Sequence, residues 1–272
     1  MEASEITLGS VPETLLLPLW GRAVETQKKK PLLVDPLAVN IIRTIGYDFS
    51  TIENKISPLS RAAWVARSVY FDTQIKAFLE VHPTGSVVNI GCGLDTTYER
   101  VNNGGAMWYE LELPDVIALR RKYIKESDKR VFIAESALED GWYGTVKNRE
   151  HVLLLLAGVI YYFDEKEVMK LFADIQKHFR HSTVLFDYCS VKGMQIANKR
   201  VIEDGGMSCS ANLVWGIDDI EEIEEWGHDI RVVEMMPMFR NHKKNYPVVK
   251  RIGMNISDRI KVMALAKVEI GG

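Results

Sequence analysis

The sequence predicts a doubly wound α/β fold on a seven-stranded, Rossmann-like sheet, and three observations predict it. Short β-rich runs at residues 86–91, 107–113, 130–136, 152–158 and 182–188 alternate with helix-length segments, the pattern of parallel βαβ units. The run Val152-Leu153-Leu154-Leu155-Leu156-Ala157 is apolar at every position, as a strand covered on both faces of a sheet must be. Two more β-rich runs, 231–238 and 261–270, come last. The irregular stretch 237–258 between them points to an antiparallel, hairpin-like pair at the sheet edge.

The segments outside the sheet follow from local chemistry. Pro12, Pro18, Pro31 and Pro36 cut the first 40 residues into short pieces, with Asp35 an N-cap and Pro36 a first helical residue. Over residues 59–81 the side chains Ala62, Ala63, Ala66, Val69, Tyr70, Phe78 and Leu79 recur at three- and four-residue steps until His82-Pro83-Thr84-Gly85 ends the helix. Asp218-Asp219-Ile220-Glu221 predicts a capping box for a helix running to about Trp226. No repeat and no Ser/Gly/Pro linker divides the chain, so one domain over 1–272 is expected.

Composition narrows the function classes. At 272 residues, 47% apolar and 26% charged, the chain is an ordinary folded globular protein. Thirty-four basic against 37 acidic residues leave a net charge of −3, so no global field recruits nucleic acid or an anionic membrane. Cys92, Cys189 and Cys209 are odd in number and lack a CxxC pair, which predicts a reducing compartment and no zinc site. Glu2 and Glu5 stand where a signal peptide would be basic, and the longest apolar run, 152–163, is well short of the ~20 residues that span a bilayer. A cytoplasmic protein is expected. Lys28-Lys29-Lys30 and Glu221, Glu222, Glu224 and Glu225 are expected to be solvated. His178 and His181 lack a third ligand nearby and predict no metal.

The strongest local signal is Asn89-Ile90-Gly91-Cys92-Gly93-Leu94-Asp95-Thr96-Thr97, a strand entering a glycine turn and then a helix. Glycines at 91 and 93 let a ligand approach the backbone. The next strand carries Glu110 and Glu112, 19 and 21 positions after Gly91, where a carboxylate grips ribose hydroxyls. Both lie on one strand face by alternation. Glu112, nearer the strand end, is the stronger candidate, and a solvated strand-end glutamate is the alternative for each. A dinucleotide site wants Gly or Ala third in the turn, whereas Leu94-Asp95-Thr96 follows here. Asp95 would repel a pyrophosphate and suit a cationic ligand, which favours S-adenosyl-L-methionine, with its ammonium and sulfonium, over NAD.

These residues, with Tyr109-Glu110-Leu111-Glu112-Leu113-Pro114, Gly21-Arg22-Ala23-Val24-Glu25 and Asp35-Pro36-Leu37-Ala38, resemble the leucine carboxyl methyltransferase family, which includes the tetracenomycin-type polyketide O-methyltransferases. The resemblance runs over most of the chain. It implies a class I methyltransferase fold that binds S-adenosyl-L-methionine and releases S-adenosyl-L-homocysteine. It also implies an N-terminal helical cap over 1–82, a cofactor-binding core over 86–188, a cap insertion after strand five over 189–230 and a terminal strand pair over 231–272.

Position by position, the resemblance implies Arg67 for the methionine carboxylate, Gly91, Cys92 and Gly93 under the methionine portion, Asp95 in the turn, and Glu112 with Leu113 at the ribose. Ser136 and Ala137 fall where the family contacts adenine, though the family often has an acid-Leu pair there. Strand four departs from the family's Ala-Glu-Gly: Ala157 stands at the glutamate, before Gly158. Tyr162 matches a family tyrosine and is a candidate for facing the acceptor, as are Trp20 and Arg22 in the cap. The expected activity is methyl transfer by in-line displacement to the oxygen of a small-molecule hydroxyl or carboxylate. The missing glutamate leans toward an acceptor that is already ionised. A cofactor-binding protein without turnover and a nicotinamide-dependent oxidoreductase are the alternatives.

Overall fold

The computed structural model describes residues 13–50, 53, 56–199 and 212–271. Residues 1–12 and Cys209 lie outside them. Seven strands form one sheet: β1 (Ser86–Ile90), β2 (Met107–Glu112), β3 (Arg130–Ala134), β4 (His151–Leu156), β5 (His181–Tyr188), β6 (Ile230–Pro237) and β7 (Ala264–Ile270). Their order is β3-β2-β1-β4-β5-β7-β6. The first five are parallel and β7 runs antiparallel to both β5 and β6. Strand order reverses at β1, between β2 and β4. In open α/β sheets a ligand crevice forms at such a point, outside the carboxyl ends of the strands.

Alternation along the strands divides the core. Ile90, Leu154, Leu156, Val184 and Phe186 face helix α6 (Glu165–His178), which supplies Val168, Leu171 and Phe172. Val87, Leu153, Leu155 and Leu185 face the opposite layer with helix α3 (Pro58–Val81) and its Ala66, Tyr70 and Ile75. Helices α1 (Leu16–Thr26) and α2 (Pro36–Thr44) close a third cluster, in which Leu16, Leu19 and Ile41 pack on Cys92 and Leu94 of the glycine turn and on Ile117 of α5 (Pro114–Tyr123). The segment before β1 is therefore built into the roof of the turn. Asp35 caps α2 as expected, accepting from the Ala38 N–H at 3.0 Å. A short α4 (Thr97–Val101) follows the turn, and α7 (Val191–Ala197) follows β5.

Two local expectations are corrected. The antiparallel pair of β6 and β7 at the sheet edge is as expected, but the stretch between them is not wholly irregular: helix α8 (Val248–Arg259) lies there. Its β-branched Val248, Val249, Ile252 and Ile256 lower helix propensity, and all four are exposed, so they mark no core face. Residues Ile220–Trp226 form a 3-10 rather than an α-helix, capped by Asp219 on the Glu221 N–H, while Asp218 accepts from Val191. Four exposed glutamates at three- and four-residue spacing disfavour the α form. A capping box does occur at α6, where Asp164 and Glu167 each accept from the other's N–H. Among the described residues no helix is long and apolar enough to cross a membrane.

Candidate functional site

A cavity of about 750 Å³ opens over the carboxyl ends of the strands, and its wall includes the glycine turn. The turn is pinned from below: the Gly91 and Cys92 N–H groups both donate to the Leu111 carbonyl, at 2.9 and 3.2 Å. Gly91 and Gly93 have φ of +65° and +45°, a region that side chains with a Cβ rarely enter. A Cβ on Gly91 would also stand 2.4 Å from Val159 Cγ2. From α5, Arg120 donates to the Gly93 carbonyl at 2.7 Å and to the Asp95 carbonyl at 2.8 Å.

Glu110 is the counter-ion of that brace. It is 1% exposed and pairs with Arg120 at 2.7 Å and Arg130 at 2.9 Å, so it is neither a solvated strand-end acid nor available to a ligand. Glu112, two residues on, is on the cavity wall. Its carboxylate accepts from the Gly93 N–H at 3.1 Å and the Leu113 N–H at 3.0 Å, and burial pushes its pKa up against those two bonds. Leu113, Ser136 and Ala137 line the same end, where Ser136 accepts from the Leu138 N–H.

Asp95 is held by Asn89 Nδ2 and the Thr97 N–H, each at 3.2 Å, and pairs with Arg22 at 3.4 Å. Burial opposes its charge, yet Arg22 and Arg100 hold the carboxyl well below the usual range. Its charge is therefore already shared with the protein. Arg22 lines the cavity but is 4% exposed and committed to Asp35 and Asp95. Trp20 is not in the cavity wall. It packs with Leu17 and Ile56, under Arg61, because the apolar side of α1 turns it into the cap interior, and its expected acceptor contact is corrected accordingly.

Arg67, on α3, is not a solvated helix arginine: it is 8% exposed and donates to Asp187 Oδ2 from Nη1 at 2.7 Å. Asp187 Oδ1 accepts from the Gly158 N–H at 2.6 Å, and the Tyr161 hydroxyl lies 3.4 Å from Oδ2. Ala157 and Tyr162 line the cavity beside this group. Desolvation, partly offset by Arg67, pushes the Tyr162 phenol up to about 12, and burial raises Tyr161 as well. Cys92, at the turn, is a buried thiol that burial keeps protonated. Met238, Phe239, Ile256, Ile260 and Met263, from the β6–β7 connection, complete the apolar side.

Sequence reasoning missed Asp187, Tyr161 and the whole contribution of the β6–β7 connection. Asp187 did carry a signal, a lone acid in the otherwise apolar Val184-Leu185-Phe186-Asp187, since a buried acid demands a partner. Among the described residues no cluster of His, Cys, Asp and Glu is placed to hold a metal.

A seven-stranded sheet in this order, with a glycine turn under a deep cavity and an acid at the end of the next strand, defines a Rossmann-like methyltransferase. The chain belongs to the leucine carboxyl methyltransferase family, whose pattern matches residues 16–176, and its cofactor is S-adenosyl-L-methionine. It is 28% identical over 235 residues to the tetracenomycin polyketide synthesis O-methyltransferase TcmP of Streptomyces glaucescens, covering 86% of this chain and 85% of that one. It is 25% identical to the S-adenosyl-L-methionine-dependent methyltransferase dpfgK of Gibberella zeae, covering 95% and 93%. Among solved structures, the plantazolicin methyltransferase BamL in complex with a triazolic desmethylPZN analog and SAH superposes with a TM-score of 0.51 at 10% identity, covering 96% of this chain and 97% of that one. An O-methyltransferase family protein from Burkholderia thailandensis gives 0.51 at 12% identity, covering 95% and 70%.

Proposed function

We propose that the protein methylates an oxygen of a small, largely apolar molecule, and that this oxygen arrives ionised, as a carboxylate or an acidic phenol. The observation that carries this is the state of the cavity's ionisable groups. Asp95 is committed to Arg22, Asp187 to Arg67 and the Gly158 N–H, and Glu112 to two backbone donors. Glu135 accepts from the Trp142 N–H, and Tyr161 and Tyr162 stay neutral. None is a free base, so an acceptor that must lose a proton is poorly served. The relationship to a tetracenomycin O-methyltransferase supports oxygen as the acceptor atom.

The residues present fit the cofactor at separate ends of the cavity. Glu112, with its carboxylate fixed by its own turn, is placed to accept from a ribose diol. Leu113, Ser136 and Ala137 form the surface for an adenine. Gly91, Cys92 and Gly93 give backbone-level access, and Arg67 presents a guanidinium to an amino-acid carboxylate. Asp95, braced by Arg22, is placed for the ammonium. S-adenosyl-L-methionine, when bound, supplies a methyl group already activated by its sulfonium. The chain's own work is then to orient the acceptor and exclude water. The apolar wall of Met238, Phe239 and Ile256 surrounds the acceptor, and the Tyr162 hydroxyl, a neutral donor, orients its oxygen.

The test is transfer of labelled methyl to a panel of aromatic carboxylic acids, phenols, amines and thiols, followed by mild alkali. Label released by alkali identifies a methyl ester, and label retained on a phenol identifies an ether. Transfer only to nitrogen or sulfur overturns the proposal. Saturable cofactor binding with no transfer to any acceptor would favour the non-catalytic binding protein.

A further inference from the structure

We propose that Asp187 is a positioning residue, which orders the Arg67 guanidinium before ligand arrives and leaves one edge of it facing the carboxylate of the cofactor's amino-acid part. This rests on the role given to Arg67 above. Asp187, next to last in β5, is fully buried, and the Gly158 N–H fixes its Oδ1 at 2.6 Å. Its other oxygen takes Arg67 Nη1 at 2.7 Å.

The grip is one-sided. A bidentate carboxylate would occupy two nitrogens of the fork, whereas here Nη1 alone is used. Among the described residues Nη2 has no hydrogen-bond partner, although Arg67 is more than nine-tenths buried and lines the cavity. A donor left unpartnered on a largely buried side chain, and open to the cavity, is a group placed to meet an acceptor.

Gly158 makes the arrangement possible. Its φ is +83°, and a Cβ there would stand 2.7 Å from Arg67 Nη1 and 3.1 Å from Nη2, so the guanidinium lies directly against bare backbone. Because Asp187 cancels the net charge of Arg67, attraction for an incoming anion depends on where Nη2 points rather than on a long-range field. A flexible side chain ordered in advance also spares the ligand that ordering cost.

The experiment compares two ligands by calorimetry, S-adenosyl-L-homocysteine and 5′-methylthioadenosine. They share the adenosine and the thioether, and only the first carries the amino acid. Asp187→Asn should lower the ratio of their affinities by about tenfold, the size of a charge-assisted hydrogen bond, with methylthioadenosine binding unchanged. Asp187→Glu, which keeps the charge but displaces the carboxylate by one methylene, should lower the ratio as well. It carries the test if Asp187→Asn fails to bind methylthioadenosine and so fails to fold. If Arg67→Ala loses the preference while the Asp187 variant carrying the test keeps the wild-type ratio, or if Asp187→Glu keeps it, the positioning role is overturned and that of Arg67 stands. If Arg67→Ala itself keeps the preference, the role given to Arg67 is wrong.

Discussion

Arg22 on α1 and Asp35 at the N-cap of α2 meet through a 2.9 Å ion pair, with both side chains almost completely buried. The same Asp35 oxygen accepts from Arg100 at 2.9 Å and from the Thr96 hydroxyl at 2.5 Å. Arg100 continues to Asp72 on α3 at 2.8 Å, and Arg22 continues to Asp95 at 3.4 Å. One carboxylate thus ties the two cap helices and α3 to the turn beneath the cavity.

Replacing Asp35 with Asn leaves two buried guanidiniums short of a counter-charge, while the amide oxygen can still cap α2. The expected loss is about 3–5 kcal/mol, read as a shifted urea midpoint. A change below about 1 kcal/mol would show that the cluster is not what seats the cap.

Glu110 and Glu112 are two residues apart and should fail differently. Glu110→Gln leaves buried Arg120 with carbonyl acceptors alone and Arg130 with Glu99 alone, and should cost about 3 kcal/mol of stability. Glu112→Gln should change stability by less than about 1 kcal/mol yet weaken methylthioadenosine binding about tenfold or more. Equal effects on both measurements would remove the distinction.

The raised pKa of Glu112 gives a pH dependence with a definite sign. Ribose recognition needs the carboxylate, so affinity is full above the Glu112 pKa and falls as pH drops through it. Burial places that fall at higher pH than an ordinary glutamate, near 4.3, would give. A pH series of methylthioadenosine titrations should show this acid limb in wild type and lose it in Glu112→Gln.

Gly91→Ala combines a left-handed φ with a Cβ 2.4 Å from Val159 Cγ2. It should cost about 2–5 kcal/mol, the sum of the backbone and overpacking terms. Adding Val159→Ala relieves the clash but not the φ, so thermal unfolding of the double variant should recover part of the loss. Full recovery would mean that the backbone conformation was cost-free.

With its pKa near 12, the Tyr162 phenol is a donor and not a base at neutral pH. Tyr162→Phe should raise the acceptor KM a few-fold and leave kcat within about threefold, with no new limb in the pH–rate profile between 6 and 9. A loss of kcat of a hundredfold or more would assign it proton transfer instead.

Much of this was legible because it is local. The five parallel strands, the α2 cap at Asp35, the long α3 and the glycine turn each depend on residues a few positions apart, so periodicity and turn chemistry suffice. Other parts are set by distant residues. Glu110 and Glu112 look alike in the sequence, yet Arg120 and Arg130 claim the first. Arg22, on a cap helix, lines the cavity, but its pairing with Asp35 and Asp95 is visible only in the folded chain. Helix α8 was hidden by its β-branched residues, and with it the β6–β7 side of the cavity. By itself the sequence determined the sheet and its glycine turn, through backbone preferences and hydrophobic alternation that act over a few residues, and it pointed to the class of cofactor through the acid in that turn and the family resemblance. The tertiary structure alone decided which charges are spent on the fold and which remain for a ligand, because a buried ionic group is satisfied by whatever folding brings within about 3 Å.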